Sequence, residues 1–126
     1  MNTRFAISPQ EMARYQATAR RRAAQRQQSL FVRRQRALAV AQEAAALLKA
    51  KYGAERVVCF GSLARGEPFS QHSDIDLAVW GLEELVLYRA IAQLLDLDPT
   101  ISIDLLRGET LSANLLRVIE TEGTSL

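Results

Sequence analysis

Between Gln10 and Tyr52 the chain contains neither proline nor glycine, and Ala, Arg, Gln and Leu dominate that stretch. All four are good helix formers. Ser8-Pro9-Gln10-Glu11 supplies a start: Ser8 as cap, Pro9 at the first helical position, and Glu11 closing a capping box. Gly53 supplies a stop, with Lys49 and Lys51 in the last turn. One helix over residues 9–52 would run about 65 Å, well beyond the width of a small domain. Two helices broken near Gln27–Leu30 satisfy the sequence equally well.

The two halves of this stretch differ. Residues 16–29 carry no large apolar side chain, so nothing there has a reason to be buried. Leu30, Phe31, Leu38, Ala41, Ala45, Leu48 and Tyr52 recur at steps of three, four and seven, which predicts a core-facing stripe. Charge divides along the same line. Residues 1–50 hold ten basic and two acidic side chains, a net of +8, whereas residues 51–126 hold six and twelve, a net of −6. The expected organisation is an Arg-rich helical arm over 1–29 and a globular domain over 30–126. The charge run Arg20, Arg21, Arg22, Arg26, Arg33, Arg34 and Arg36, which crosses from the arm into the domain, suits a solvated face, nucleic acid or an acidic protein surface.

After Gly53 the apolar period changes. Arg56–Phe60 predicts a strand buried on both faces, Gly61–Arg65 a tight turn into a short helix, and Gly66–Ser73 a polar loop. Asp74–Trp80 predicts a second strand with Asp74, Asp76 and Ala78 on one face. A helix follows over Leu82–Leu95, with Leu82, Leu85, Val86, Tyr88, Ile91, Leu94 and Leu95 as its stripe. Thr100–Leu106 reads as a third strand, with Ser102 and Asp104 on one face. A last helix opens near Ser112 and ends before Gly123. The fold class is α/β (α+β): a small mixed sheet of three to four strands flanked by helices. The 74 residues from 53 onward are few for a self-sufficient core, so residues 30–52 are expected to complete it.

The 48% apolar content suits a globular core. No apolar run is long enough to span a membrane, and the mixed segment Met1–Gln10 lacks a signal peptide's apolar centre. The only cysteine, Cys59, permits no internal disulfide, and a reduced cytoplasm is the expected compartment.

Chemistry concentrates in GSLARGEPFSQHSDIDLAVW, residues 61–80. Asp74 and Asp76 lie two apart on one strand and so project from the same face. Asp104 joins them if the third strand lies beside the second. Such a group of hard oxygen donors suits Mg²⁺, usually held by a few carboxylates plus substrate phosphates. Gly61-Ser62 meets the opposite need: backbone that can approach a phosphate closely, with a hydroxyl beside it. An Asp-x-Asp alone is common at solvated strand ends; an anion cradle joined to it points to a metal–triphosphate site.

This pattern resembles the nucleotidyltransferase superfamily of the DNA polymerase beta type. Its hallmark is a strand, Gly-Ser, a loop, Asp-x-Asp and a third acid on a later strand. Those positions here are Gly61, Ser62, Asp74, Asp76 and Asp104. The wording Phe60–Gly66, Ser73–Leu77 and the ending Leu115–Gly123 looks closest to the minimal nucleotidyltransferases, many of which are antitoxins paired with HEPN-domain RNase toxins. Eleven residues part Ser62 from Asp74, one more than is usual there, and the extra one falls in the Glu67–His72 loop.

The resemblance implies transfer of AMP from ATP to a hydroxyl, with two Mg²⁺ ions held by Asp74, Asp76 and Asp104. Asp104 would also help deprotonate the acceptor. Gly61, Ser62 and Arg65 would hold the phosphates, although Arg65 is equally readable as a surface arginine. The implied acceptor is a tyrosine of a HEPN toxin, and homo- or hetero-oligomers are compatible with the short core. Two alternatives keep the fold: an antitoxin that works by occlusion alone, and a transferase for a small molecule such as an aminoglycoside. A further alternative is a nucleic-acid binder acting through the basic arm. His72 reads as a solvated loop residue, and Trp80 as packed under the helix that follows it.

Overall fold

The computed structural model describes residues 6–126, so residues 1–5 of the expected arm and of the mixed N-terminal segment lie outside the described residues. Helix α1 runs unbroken over Pro9–Tyr52, which resolves the choice left open between one helix and two. Ser8 Oγ accepts the Glu11 N–H at 3.0 Å, Pro9 occupies the first turn, and Gly53 closes the helix at φ 75°. Strand β1 (Arg56–Phe60), the short helix α2 (Gly61–Ala64), β2 (Ile75–Trp80), α3 (Glu84–Leu94) and β3 (Ile103–Arg107) follow. A single 3₁₀ turn over Gly108–Thr110 leads to α4 (Ala113–Glu122) and β4 (Thr124–Ser125).

The four strands form one mixed sheet in the order β3-β2-β1-β4. β1 is antiparallel to both β2 and β4, whereas β2 and β3 are parallel. This is the α/β class expected, with β4 and the 3₁₀ turn as additions. One face of the sheet presents Val57, Cys59, Ile75, Leu77, Val79 and Leu105 to α1 and α3. The other presents Val58, Phe60 and Ala78 to Ile119 of α4. No helix among the described residues is long and apolar enough to cross a membrane.

Two apolar stripes differ from expectation. On α1, Ala41, Ala45 and Leu48 are buried as expected, but Phe31 is 57% and Leu38 37% exposed. Ala37, Val40 and Ala44 complete the contact instead. Small side chains let the helix axis approach the sheet closely, so alanines rather than large residues mark the buried face. The expected Leu82–Leu95 helix is shortened to α3, Glu84–Leu94; of its stripe Leu82 and Leu94 are buried, whereas Leu85, Tyr88 and Leu95 are exposed and Leu87 and Ala90 point inward. That helix is apolar nearly all round, so its period does not select a face. The start of β3 is also later than expected. Asp98 accepts from the Thr100 N–H at 2.9 Å and its hydroxyl at 2.6 Å, and this turn holds the chain out of the ladder.

Because α1 leads through Gly53 into β1, it runs antiparallel to that strand. Going back along α1 from Tyr52 therefore moves toward the end of the sheet where β1 finishes and β2 and β3 begin. Residues 9–32, about 36 Å of helix at 1.5 Å per residue, extend past that end.

Candidate functional site

Pairing register brings the sequence-predicted acids toward one another. Phe60, the residue before Gly61, is the β1 partner of Asp76, and Asp76 is in turn the β2 partner of Asp104 on β3. Residues of even number on these strands point to the α4 face, so the Asp76 and Asp104 side chains rise from neighbouring strands on the same side. Asp74 sits just before β2, exposed, ahead of the Ile75 N–H that binds Ser102 O at 2.9 Å.

Gly61 explains the turn. Its φ is 75°, and a Cβ built there would lie 2.2 Å from Asp76 Oδ2. The backbone needs the left-handed region, and the carboxylate needs the space a side chain would fill. The Gly-Ser turn therefore presses directly against the central acid. Ser62 follows on the first turn of α2, half-buried at the same rim.

The charges at this rim are in tension. Burial pushes the Asp76 carboxyl above the ordinary carboxylate range, and the charges of Asp104 and then Asp74 push it further, while Arg65 opposes them. Mutual repulsion of this kind is what a bound cation would relieve. Among the described residues, however, no three His, Cys, Asp or Glu groups are gathered tightly enough to grip an ion as they stand. Asp76 and Asp104 form the paired core, and Asp74 is felt through its field from the adjoining loop end.

Arg65 caps α2, but its fork is already engaged. Nε and Nη2 donate to the two Glu67 oxygens at 3.0 and 3.1 Å, and Nη1 reaches Glu122 of α4 at 3.5 Å. It is close enough to Asp76 to be felt electrostatically, yet it points into a surface ion-pair cluster.

Arg33, Arg34 and Arg36 belong to the charge run that the sequence offered to solvent, nucleic acid or an acidic partner, but the structure turns them onto the domain's own loops as a collar. Arg33 donates to Ser70 O at 2.9 Å and Thr100 O at 2.7 Å, with its guanidinium over the Phe69 ring. Arg34 donates to Leu63 O at 3.0 Å and Glu67 O at 3.1 Å, and Arg36 to Asp98 at 2.9 Å. These side chains tie together α2, the loop preceding Asp74 and the loop preceding β3, the segments that carry the candidate site. The available signal was their position, directly before the first buried alanine, Ala37. His72 is exposed as expected. Trp80 is not under α3: it lies against Gly108, where a Cβ would meet the ring at 2.1 Å, with the Arg56 guanidinium 4.6 Å from the ring centre. Its even position turns it to the α4 face, at the end of β2 remote from Asp76. Cys59 is buried, its thiol pushed up to about 11 by burial, and so unreactive.

The acid rim is open rather than enclosed. A concavity of about 690 Å³ lies elsewhere, between α1 and the 70–71 loop.

Residues 42–126 match the family described as Polymerase beta, Nucleotidyltransferase. Among solved structures, a protein assigned as a minimal nucleotidyltransferase is 32% identical at a TM-score of 0.53, over 79% of this chain and 94% of that one. A toxin–antitoxin solved with AMP-PNP matches at 22% identity and a TM-score of 0.57, over 68% of this chain and 70% of that one. The complex of a tri-AMPylated Shewanella oneidensis HEPN toxin with its MNT antitoxin matches at 21% and 0.51, over 71% and 70%. These two likenesses show a shared fold. No curated protein matches the sequence.

Proposed function

This chain belongs to the polymerase beta nucleotidyltransferase family, and from that premise we propose that it transfers AMP from ATP to a tyrosine hydroxyl of a HEPN RNase toxin, as that toxin's antitoxin. The observation that carries the reading is the Asp76 carboxylate, packed on the Gly61 backbone and in register with Asp104. A phosphate-seating turn and a carboxylate pair are of no use to each other in a purely structural rim. Together they serve a metal-bound triphosphate. The partner class is supported by the neighbours of like fold, whose solved complexes hold a HEPN toxin or AMP-PNP.

Asp74, Asp76 and Asp104 would hold two Mg²⁺ ions. The fit rests on an all-oxygen donor set and on a half-buried carboxylate already under repulsion from its two neighbours. When bound, the ions supply charge neutralisation for the triphosphate and the departing pyrophosphate. Ser62 Oγ and the backbone amides of the turn seat the terminal phosphates. Arg65 turns from Glu67 and Glu122 toward them, since the triphosphate outcompetes these two exposed carboxylates. Asp104, the more exposed of the strand pair, accepts the proton of the attacking hydroxyl. The new bond joins that oxygen to the α-phosphorus, and the α–β anhydride bond breaks. We assign the transfer domain to residues 30–126, the arm to 1–29 and the setting to the cytoplasm.

The test mixes the protein with α-labelled ATP, Mg²⁺ and the product of the neighbouring gene. Label is expected on a tyrosine of that product, with loss of its RNase activity. Full neutralisation by an Asp76→Asn variant that transfers no label would establish occlusion instead. Label on an aminoglycoside and none on protein would move the acceptor to a small molecule.

A further inference from the structure

The inner face of α1 changes chemistry where it leaves the domain. Steps of three and four link Leu48, Ala44, Val40, Ala37, Arg33, Ser29, Arg26 and Arg22, and two further turns reach Tyr15. One stripe thus runs from buried aliphatics over the core to guanidiniums and a hydroxyl beyond it. The outer part of that stripe walls the 690 Å³ concavity, and Ser70 and Gln71 of the loop leading to Asp74 form the opposite wall. The volume is typical of ligand clefts, which span about 300–1,000 Å³.

The lining is basic and incompletely satisfied. Arg33 is committed to Ser70 O and Thr100 O. Arg22 and Arg26 form no ion pair or hydrogen bond with any described residue, and no acidic side chain lines the cleft. Leu30 is the one large aliphatic side chain in the lining, short of the cluster of apolar anchors that the centre of a protein interface requires. Phe31 and Val32, the exposed apolar residues nearby, stand on other sides of the helix.

We propose that this cleft binds the phosphodiester backbone of a single-stranded nucleic acid. Arg22 and Arg26, one turn apart, meet successive phosphates. Exposed Tyr15, further out on the same stripe, offers a stacking surface for a base. The helix on one side and the loop on the other admit a single strand more readily than a duplex. The proposal uses none of Asp74, Asp76 or Asp104, so it stands apart from the transfer reaction.

The experiment is fluorescence anisotropy of the full chain with a labelled uridine homopolymer, a thymidine deoxy-homopolymer of equal length and polyglutamate. Binding of a strand should weaken with salt. In Arg22→Ala/Arg26→Ala, affinity should fall about tenfold or more at low salt, and the slope of log affinity against log salt should flatten by about 1.4, at about 0.7 per lost phosphate contact. Arg20→Ala/Arg21→Ala, on the other faces of the same helix, should change affinity less than about threefold. Alanine favours helix, and circular dichroism confirms that both variants remain folded. Either strand binding with this pattern supports the site, and the tighter of the two identifies its source. Absence of binding, equal losses from both pairs, or polyglutamate binding as tightly per charge would overturn it, the last assigning the cleft to an acidic protein.

Discussion

Arg20, Arg21, Arg22 and Arg26 share a helix and a residue type with Arg33, Arg34 and Arg36, yet the second group is tied down and the first is not. The collar donates to carbonyls of Leu63, Glu67, Ser70 and Thr100 and to the Asp98 carboxylate. The arm's arginines project past the sheet with no carboxylate within ion-pair reach among the described residues. The helix backbone is the same in both places. What differs is whether the domain's loops lie within reach, and that depends on how far α1 extends past the site end of the sheet. A run of like charge can therefore hold two roles, one architectural and one outward-facing.

The contrast can be broken at several points. Leu48→Ala, in the packed half, should cost about 2–5 kcal/mol in chemical denaturation. Met12→Ala, on the projecting half, should stay within about 0.5 kcal/mol. Comparable losses would mean that the arm is packed on something the domain provides. Arg34→Ala removes two charged hydrogen bonds that hold α2 and its loop, and should cost about 1–3 kcal/mol by the same measurement. Arg20→Ala should be neutral within the same 0.5 kcal/mol margin. If the two arginine variants behave alike, the collar has no architectural role.

A pH-dependent effect is expected from the Arg36–Asp98 tie. Hydrogen bonds from the Thr100 hydroxyl, Arg36 and the Thr100 N–H hold the Asp98 carboxyl down at about 2. A depressed folded value stabilises the protein fully above the unfolded carboxylate value of about 3.9, and that contribution is lost as pH falls toward 2. The stability gap between the parent and Asp98→Asn should therefore be flat above about pH 5 and close between about pH 4 and 2. Urea midpoints across that range measure it. A gap that persists at pH 2 would assign the effect to packing rather than charge.

Much of this architecture could be read directly in the residues. Ser8, Pro9 and Gly53 bound α1, and the turn residues around Gly61, Gly66 and Gly123 separate the elements that follow. The positions of Asp76, Asp104 and Gly61 followed from strand alternation plus one assumption, that the third strand adjoins the second, and the register bears that assumption out. Other features left no trace. β4 is a two-residue pairing that closes the sheet edge without any apolar pattern. The buried faces of α1 and α3 were set by alanines at 37, 44 and 90, which ordinary apolar counting undervalues beside Phe31, Leu85 and Tyr88. The collar was hidden because its acceptors are mostly main-chain oxygens, which any residue carries. Arg65 illustrates the same gap in reverse: its charge was visible, but not the prior claim of Glu67 and Glu122 on it.

The most direct test of the central claim is label transfer from α-labelled ATP to the partner by the parent protein and by Asp76→Asn, with complex formation followed in parallel. The account predicts that the variant still binds its partner and that transfer falls by about 10³-fold or more, as expected when charge stabilisation of the reacting phosphate is lost. Transfer at the parent rate by Asp76→Asn would contradict it, because the carboxylate against the Gly61 turn would then have no part in the chemistry.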